Sequence, residues 1–571
     1  MTEVAFASRR QILLTGLAGM GIGTAVFQRA LADSVQRAPI SEAMIRDAEW
    51  VAGIRLSDEQ RAVIAKSVDA MSAKVQRLRA VDVDFSDLPA FRFDPEMFPR
   101  SHDLSDVQTV SPRSNAQEGR PPWLKTPEPS SPSANASKSL SRDEWSFASV
   151  TRLAQALRAG ELTSVELTEH CLGRLKQHDP TLMCVVTLME ESALEQARLA
   201  DRELAGGKDR GLLHGIPWGA KDLIAVEGFP TTWGAPQFRD RQISETATVA
   251  LRMKEAGAVL TAKLSLGALA MGDQWFGGQT RNPWNPEVGS SGSSAGSAAA
   301  VSAGLLPLAL GSETLGSIVS PCRRCGVTGL RPTFGRVSRA GCMSLSWTMD
   351  KIGPIARTAH DCGLCLNVIA GADHQDPTSV DRWFDWPVAV DFTGLRIGRV
   401  ADAPLSLSEE AVLDVLSSTG AEIVDLSLPH EFSEWDLNII LDAEAATVFQ
   451  SLTADNDLDG LNAWSTIFPK MHFLSAVDYL QACRIRMKLI QQMSDVFRKV
   501  HFYVGGGDLG IANMTGHPTV VIPAAMTEQH GVRKPECATI TGRLYDEATI
   551  LAVAAHVESE LAVNQQRPPG F

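Results

Sequence analysis

From Gly289 to Pro321 the chain reads GSSGSSAGSAAAVSAGLLPLALGSETLGSIVSP, a run made almost wholly of small residues. Small side chains let backbone pack closely against backbone, so most of this run belongs in a tightly packed interior. Ser297 to Leu310 is apolar enough to read as a core helix. Two features keep the run from being packing alone. It holds serines in glycine-rich turns, and a lysine stands upstream, Lys221 in HGIPWGAKDL. Serines in such turns beside a buried lysine can perform nucleophilic acyl chemistry with no histidine.

Serine attack on a carbonyl needs a base for the hydroxyl proton, donors for the oxyanion and an acid for the leaving group. Thr314-Leu315-Gly316-Ser317 offers uncovered turn amides next to a serine hydroxyl. Lys221 sits among Ile216, Pro217, Trp218, Ala220, Leu223 and Ile224. Burial there disfavours the ammonium and leaves an amine able to act as base. Gly292-Ser293-Ser294-Ala295-Gly296 also fits a GxSxG nucleophile elbow, which needs a strand directly before it; RNPWNPEVGS is polar and broken by proline, so the context fails. Ser290, Ser291, Ser294 and Ser297 read as backbone-bonding residues. His214, His360 and His517 carry no triad signal, and Asp222 and Asp350 read as structural partners.

Composition narrows the partners. The net charge is −14, with no basic cluster, which argues against nucleic acid and anionic lipid. The N-terminus carries Ser8-Arg9-Arg10-Gln11-Ile12-Leu13-Leu14, a glycine-rich apolar stretch and Ala30-Leu31-Ala32. A paired arginine, an apolar stretch and an A-x-A site are the marks of a twin-arginine export signal over residues 1–32. Cleavage leaves no stable membrane span and a periplasmic or otherwise extracytoplasmic protein; an uncleaved signal would anchor it. The GLAGMGIG run inside this segment only mimics a dinucleotide loop. Nine scattered cysteines include the pairs Cys322/Cys325 and Cys362/Cys365. The gap between the pairs does not suit a zinc ribbon, so they read as buried small apolar residues.

Glu42 to Ile54 reads as a helix, and Ser57-Asp58-Glu59-Gln60 opens a second with a capping box. These make residues 33–100 an accessory helical segment of unreadable purpose. Residues 101–144 are a Ser/Pro-rich linker or surface wrap. From residue 145 to 571 helices and strands alternate. Thr163 and Glu166 mark a helix start, Val249 to Ala256 is a helix and Ala258 to Lys263 a strand. Leu395 to Val400 and Ala421 to Leu428 are strands around a helix from Glu409 to Ser417. Thr519 to Pro523 and Ala538 to Thr541 are strands before a last helix from Glu547 to Leu561. This is an α/β pattern with a large buried sheet covered by helices on both faces.

The segments HGIPWGAKDL, SSGSSAGSAAAVSAG, GSETLGSI, TGLRPTFGRVSRAG, DKIGPIART, SAVDYLQACRIR and NMTGHPTVVIP, in this order, resemble the amidase signature family from Trp145 to about Leu561. The resemblance implies that family's mixed-sheet fold. It implies hydrolysis of a linear carboxamide or amide bond in a small-molecule substrate, without metal or organic cofactor. It also implies a Ser–cis-Ser–Lys triad: Ser317 as nucleophile, Ser293 as bridging serine after a cis peptide bond from Gly292, and Lys221 as base. The amides of Thr314, Leu315 and Gly316 would hold the oxyanion. Two positions depart from the pattern. Leu315 stands where the family usually has glycine, and Val319 where it usually has arginine, removing a structural ion pair. Cytoplasmic members act in transamidation of tRNA-bound amino acids; the export signal and acidic balance argue against that role. Two alternatives stay open: an esterase using the same triad, and a catalytically weak amidase-like binding protein of the cell envelope. Oligomeric state is not readable.

Overall fold

The computed structural model describes residues 39–82, 121–125, 140–401, 404–506, 509–529 and 531–571. The export signal expected at 1–32, residues 83–100 of the expected accessory segment and most of the linker expected at 101–144 lie outside these residues. The chain divides into two compact units. The first joins the described part of Met1–Pro89 to Trp435–Asp459 and Ala463–Ile485; the second holds the rest. Residues 39–82 thus group with residues 435–459 and 463–485.

In the first unit, helix α1 (Glu42–Ala52) ends two residues before the expected Ile54, and α2 (Asp58–Ala80) begins where its start signal places it. Ser57 and Gln60 close the capping box on each other's backbone amides, at 3.2 and 2.7 Å. Arg77 grips Asp436 and Arg79 grips Asp478 in two-pronged pairs of 2.6–2.7 Å. These tie α2 to sequence more than 350 residues away.

The second unit is built on eleven strands. In chain order they are β1 (Val185–Leu188), β2 (Pro217–Lys221), β3 (Val259–Leu264), β4 (Leu308–Glu313), β5 (Thr328–Arg331) and β6 (Lys351–Ala356). They continue with β7 (Arg396–Val400), β8 (Glu422–Leu426), β9 (Phe502–Val504), β10 (Thr519–Gln529) and β11 (Val532–Gly542). Their order across the sheet is β8-β7-β9-β11-β10-β5-β6-β4-β2-β3-β1. β2 runs parallel to β3 and β4, and β7 parallel to β8 and β9, while the other neighbours are antiparallel. Every residue of β2, β3, β4 and β6 is buried. Successive strand residues point to opposite faces, so the centre of the sheet is covered on both. The large mixed α/β sheet is the one the sequence pattern implies.

Two local readings change. Ser297 to Leu310 is not one helix: helix α3 (Ala295–Ser302) ends before Gly304, at φ +64°, and β4 follows. RNPWNPEVGS forms a small hairpin pairing Arg281–Asn282 with Asn285–Gly289, apart from the main sheet. Within the linker, Leu124–Lys125 pairs with Ala389–Val390, and Trp123 Nε1 donates to Thr549 Oγ1 at 2.8 Å.

Gly219 sets how β2 fits its neighbours. A Cβ there would stand 2.4 Å from Leu264 Cδ1 and 2.8 Å from Leu306 Cδ1. Gly219→Ala should therefore lower stability by about 1–3 kcal/mol through overpacking, measured by denaturant unfolding.

Candidate active site

Lys221 ends β2, and Ser312 lies near the end of the parallel strand β4, so both come to the carboxyl edge of the same strand pair. That edge is where open α/β sheets place their ligands. Lys221 is fully buried. Its Nζ lies 2.7 Å from Ser293 Oγ, 2.9 Å from Ser312 Oγ, 3.1 Å from Ser294 Oγ and 3.3 Å from the Ser312 carbonyl. No carboxylate among the described residues touches it. Burial pulls its pKa from the ordinary 10.5 down to about 7, with Asp350 and then Glu313 opposing at longer range.

The turn before α3 presents Ser293. The Gly292–Ser293 peptide is cis. Gly292 has no room for a side chain, since a Cβ would fall 1.9 Å from the Gly272 carbonyl oxygen. The Ser291 amide donates to Asp273 Oδ2 at 3.0 Å. Ser294 is fully buried; its hydroxyl donates to the Ser312 carbonyl and accepts from the Ser312 amide, both at 3.1 Å. That makes it a brace between two segments and no exposed elbow nucleophile. Ser290 and Ser297 also donate to backbone carbonyls.

Ser317 sits half-buried just before helix α4 (Val319–Cys325). Its carbonyl accepts from the Ser294 amide at 3.0 Å, which locks the two serine segments together at their fronts. At their backs, Ser302 Oγ on α3 donates to the Cys325 carbonyl on α4 at 2.6 Å. The Ser317 hydroxyl makes no hydrogen bond among the described residues, so the geometry brings Lys221 to Ser293 but leaves the Ser293–Ser317 link open. Catalytic hydrogen bonds often close only around substrate. The amides of Leu315, Gly316 and Ser317 are likewise without a partner among the described residues. Three free donors beside a reachable hydroxyl are what an oxyanion requires.

Glu313 lies beneath this turn. Its Oε2 accepts from the Ile318 and Val319 amides at 2.7 and 2.9 Å, and its Oε1 from Arg331 at 2.8 Å and Asn513 at 2.7 Å. Burial pushes its carboxyl up, but these donors more than offset it and hold the pKa at about 2. Val319 therefore leaves no orphaned carboxylate: Arg331, from β5, provides a buried ion pair at this point. Asp222 points away from Lys221 and pairs with buried Lys263 at 2.7 Å. His214 accepts from the Arg210 amide, His360 meets Thr151, and His517 meets Thr515; none reaches the serines. None of the nine cysteines is in a disulfide; Cys342 is half-buried and the others are buried.

Ser312, Glu313 and Asp273 are not singled out by sequence. Strand alternation is the signal that finds the first two: neighbours on β4, they point to opposite faces, one to Lys221 and the other under the nucleophile turn. Reading the first residues of this strand as helix hides that alternation.

The Amidase family profile matches residues 166–507. The chain belongs to the amidase family. Its reaction class is thus cleavage of a carbon–nitrogen bond in an amide, by hydrolysis or by amide transfer. It is 34% identical over 480 residues to the A-type subunit of the glutamyl-tRNA(Gln) amidotransferase of Chloroflexus aurantiacus, covering 73% of this chain and 98% of that one. Among solved structures, the peptide amidase of Stenotrophomonas maltophilia superposes with a TM-score of 0.65 at 26% identity, over 74% of this chain and 98% of that one. A bacterial aryl acylamidase shares the fold, with a TM-score of 0.66 at 22% identity, over 74% and 99%.

Lys221 links activity to stability. Its folded pKa lies below its unfolded one, so the unfolded chain binds more protons between about pH 7 and 10.5, and stability rises with pH across that window. Lys221→Met should raise the melting temperature most below pH 7, and the gain should shrink toward pH 10.5. The same variant should abolish turnover.

Proposed function

We propose that the protein is an exported serine amidohydrolase that cleaves a small-molecule carboxamide through an acyl-enzyme on Ser317. The observation that carries this is the 2.7 Å approach of a buried, carboxylate-free lysine to Ser293. The hydrogen bonds around Lys221 support a lone pair aimed at Ser293. Ser294 gives its hydrogen to the Ser312 carbonyl, so toward Lys221 it can only accept. A neutral amine has two N–H groups; directed at Ser294 and Ser312, they leave its lone pair for the Ser293 hydroxyl at the shortest contact.

Lys221 then takes the Ser293 proton as Ser293 takes that of Ser317, and Ser317 Oγ bonds to the substrate carbonyl carbon. The turn amides from Thr314 to Gly316, with that of Ser317, face the developing oxyanion. Collapse of the tetrahedral adduct breaks the C–N bond, and the proton returns through the relay to the leaving amine. Water attacks the acyl ester by the same path and restores Ser317. The triad also permits ester substrates, and matched amide and ester substrates with one acyl group measure that preference. Export rests on Arg9, Arg10 and the A-x-A site; a tagged full chain should reach the cell envelope, and Arg9→Lys with Arg10→Lys should hold it inside.

The identity to the glutamyl-tRNA(Gln) amidotransferase component favours a second reading, amide transfer as one subunit of a tRNA-dependent amidotransferase. The arginine pair favours the first. A chain that hydrolyses amides alone and is exported supports the first reading, whereas activity only with the other amidotransferase components added supports the second.

A fluorophosphonate should label Ser317, and Ser317→Ala should abolish both labelling and turnover. Labelling at Ser294 would sink the assignment. The rate should rise with pH through about 7 and level off above it, because the neutral amine is the working form.

A further inference from the structure

The loop from Thr314 to Ile318 carries the free amides, and it is held at both ends by buried charge. Glu313 holds the amides of Ile318 and Val319 at the far end. At the near end the holder is Asp350, the residue before β6, which is buried. Asp350 Oδ1 accepts from Thr314 Oγ1 at 2.6 Å, and Oδ2 accepts from the amides of Leu345 and Ser346 at 2.8 and 2.9 Å. All three donors are neutral, so none cancels the carboxylate's charge. Lys351 stands beside it, donating to the Met349 carbonyl and lying 3.5 Å from the Thr314 carbonyl.

Thr314 is a lever on the oxyanion donors. Its carbonyl and the Leu315 N–H belong to one planar peptide and point in opposite directions. Fixing Thr314 through its hydroxyl holds the residue from which the Leu315 N–H projects. The charges around Lys221 sort in the same direction. Glu313 is matched by Arg331, and Asp222 by Lys263. Arg339 shares a cavity wall with Asp350 but is bound to Asp376 and Thr378. Asp350 remains as the carboxylate with the largest effect on Lys221.

We propose that Asp350 is a positioning residue of this reaction, anchoring through Thr314 the loop of free amides and lending its charge to the buried Lys221. The inference rests on the Ser317–Ser293–Lys221 reading. It gives Asp350 two separable effects. Through Thr314 it governs how fast the competent enzyme reacts. Through space it favours the ammonium form of Lys221, so removing its charge favours the neutral amine at lower pH.

The test is the rate of fluorophosphonate labelling at Ser317 against pH, in the full chain and three variants. Asp350→Asn keeps the shape and removes the charge; its labelling midpoint should move to lower pH by about half a unit or more. Thr314→Val keeps the charge and removes the tether; its plateau rate should fall about tenfold or more with the midpoint unmoved. Thr314→Ser should restore the plateau. A wild-type midpoint in Asp350→Asn, or a wild-type plateau in Thr314→Val, overturns the proposal. If wild-type Ser317 takes no label, the triad reading itself fails and the proposal falls with it, a result distinct from either variant outcome.

Discussion

The site depends on one amine kept from water and from carboxylates at once. Lys221 and Lys263 are both fully buried on neighbouring parallel strands, yet their surroundings differ. Lys263 meets Asp222 at 2.7 Å and is a structural ion pair. Among the described residues Lys221 hydrogen-bonds only to hydroxyls and a carbonyl, so desolvation dominates and pulls its pKa down to about 7. Asp222 follows Lys221 directly in sequence but its carboxylate is already committed to Lys263 and Thr232. The fold thus separates adjacent residues of opposite charge, and that separation is what allows a lysine to serve as base.

How much of this is legible in the sequence depends on how local its cause is. The capping boxes at Ser57–Gln60 and Thr163–Glu166 are four-residue devices, and both form as written. The last helix, Glu547–Leu561, is also where its apolar pattern puts it. Ser297 to Leu310 misleads because residues buried on every side show no period, and only Gly304 marks the change from helix to strand. The turn at 281–289 looks broken in sequence, although two short strands need no apolar face to pair. At the site, Lys221, Ser293 and Ser317 stand in recognisable segments. Ser312 does not, because its role comes from strand register: β4 lies beside β2, and no spacing in the sequence says so. The pairing of α2 with residues 436 and 478 is non-local in the same sense.

Glu313 shows how a departure in one place is absorbed by another. Val319 contributes only its amide to the carboxylate, and the cation comes from Arg331 on β5, two strands away across the same sheet. Removing one partner of a buried pair costs about 3–5 kcal/mol, so the turn before α4 depends on β5 as much as on its own residues.

The two serine-bearing helices are joined twice, by the Ser294 amide to the Ser317 carbonyl and by the Ser302 hydroxyl to the Cys325 carbonyl. Two rungs between two rails make a frame that can shift but cannot shear. Sliding one helix along the other would break a bond at each end. The spacing of Ser293 and Ser317 is thereby a property of the frame, and adjustment to a substrate is left to side-chain rotation. Altering substrate size by lengthening a loop on either helix would move both serines together, so new specificities are more readily reached by changing the walls around the frame than the frame itself.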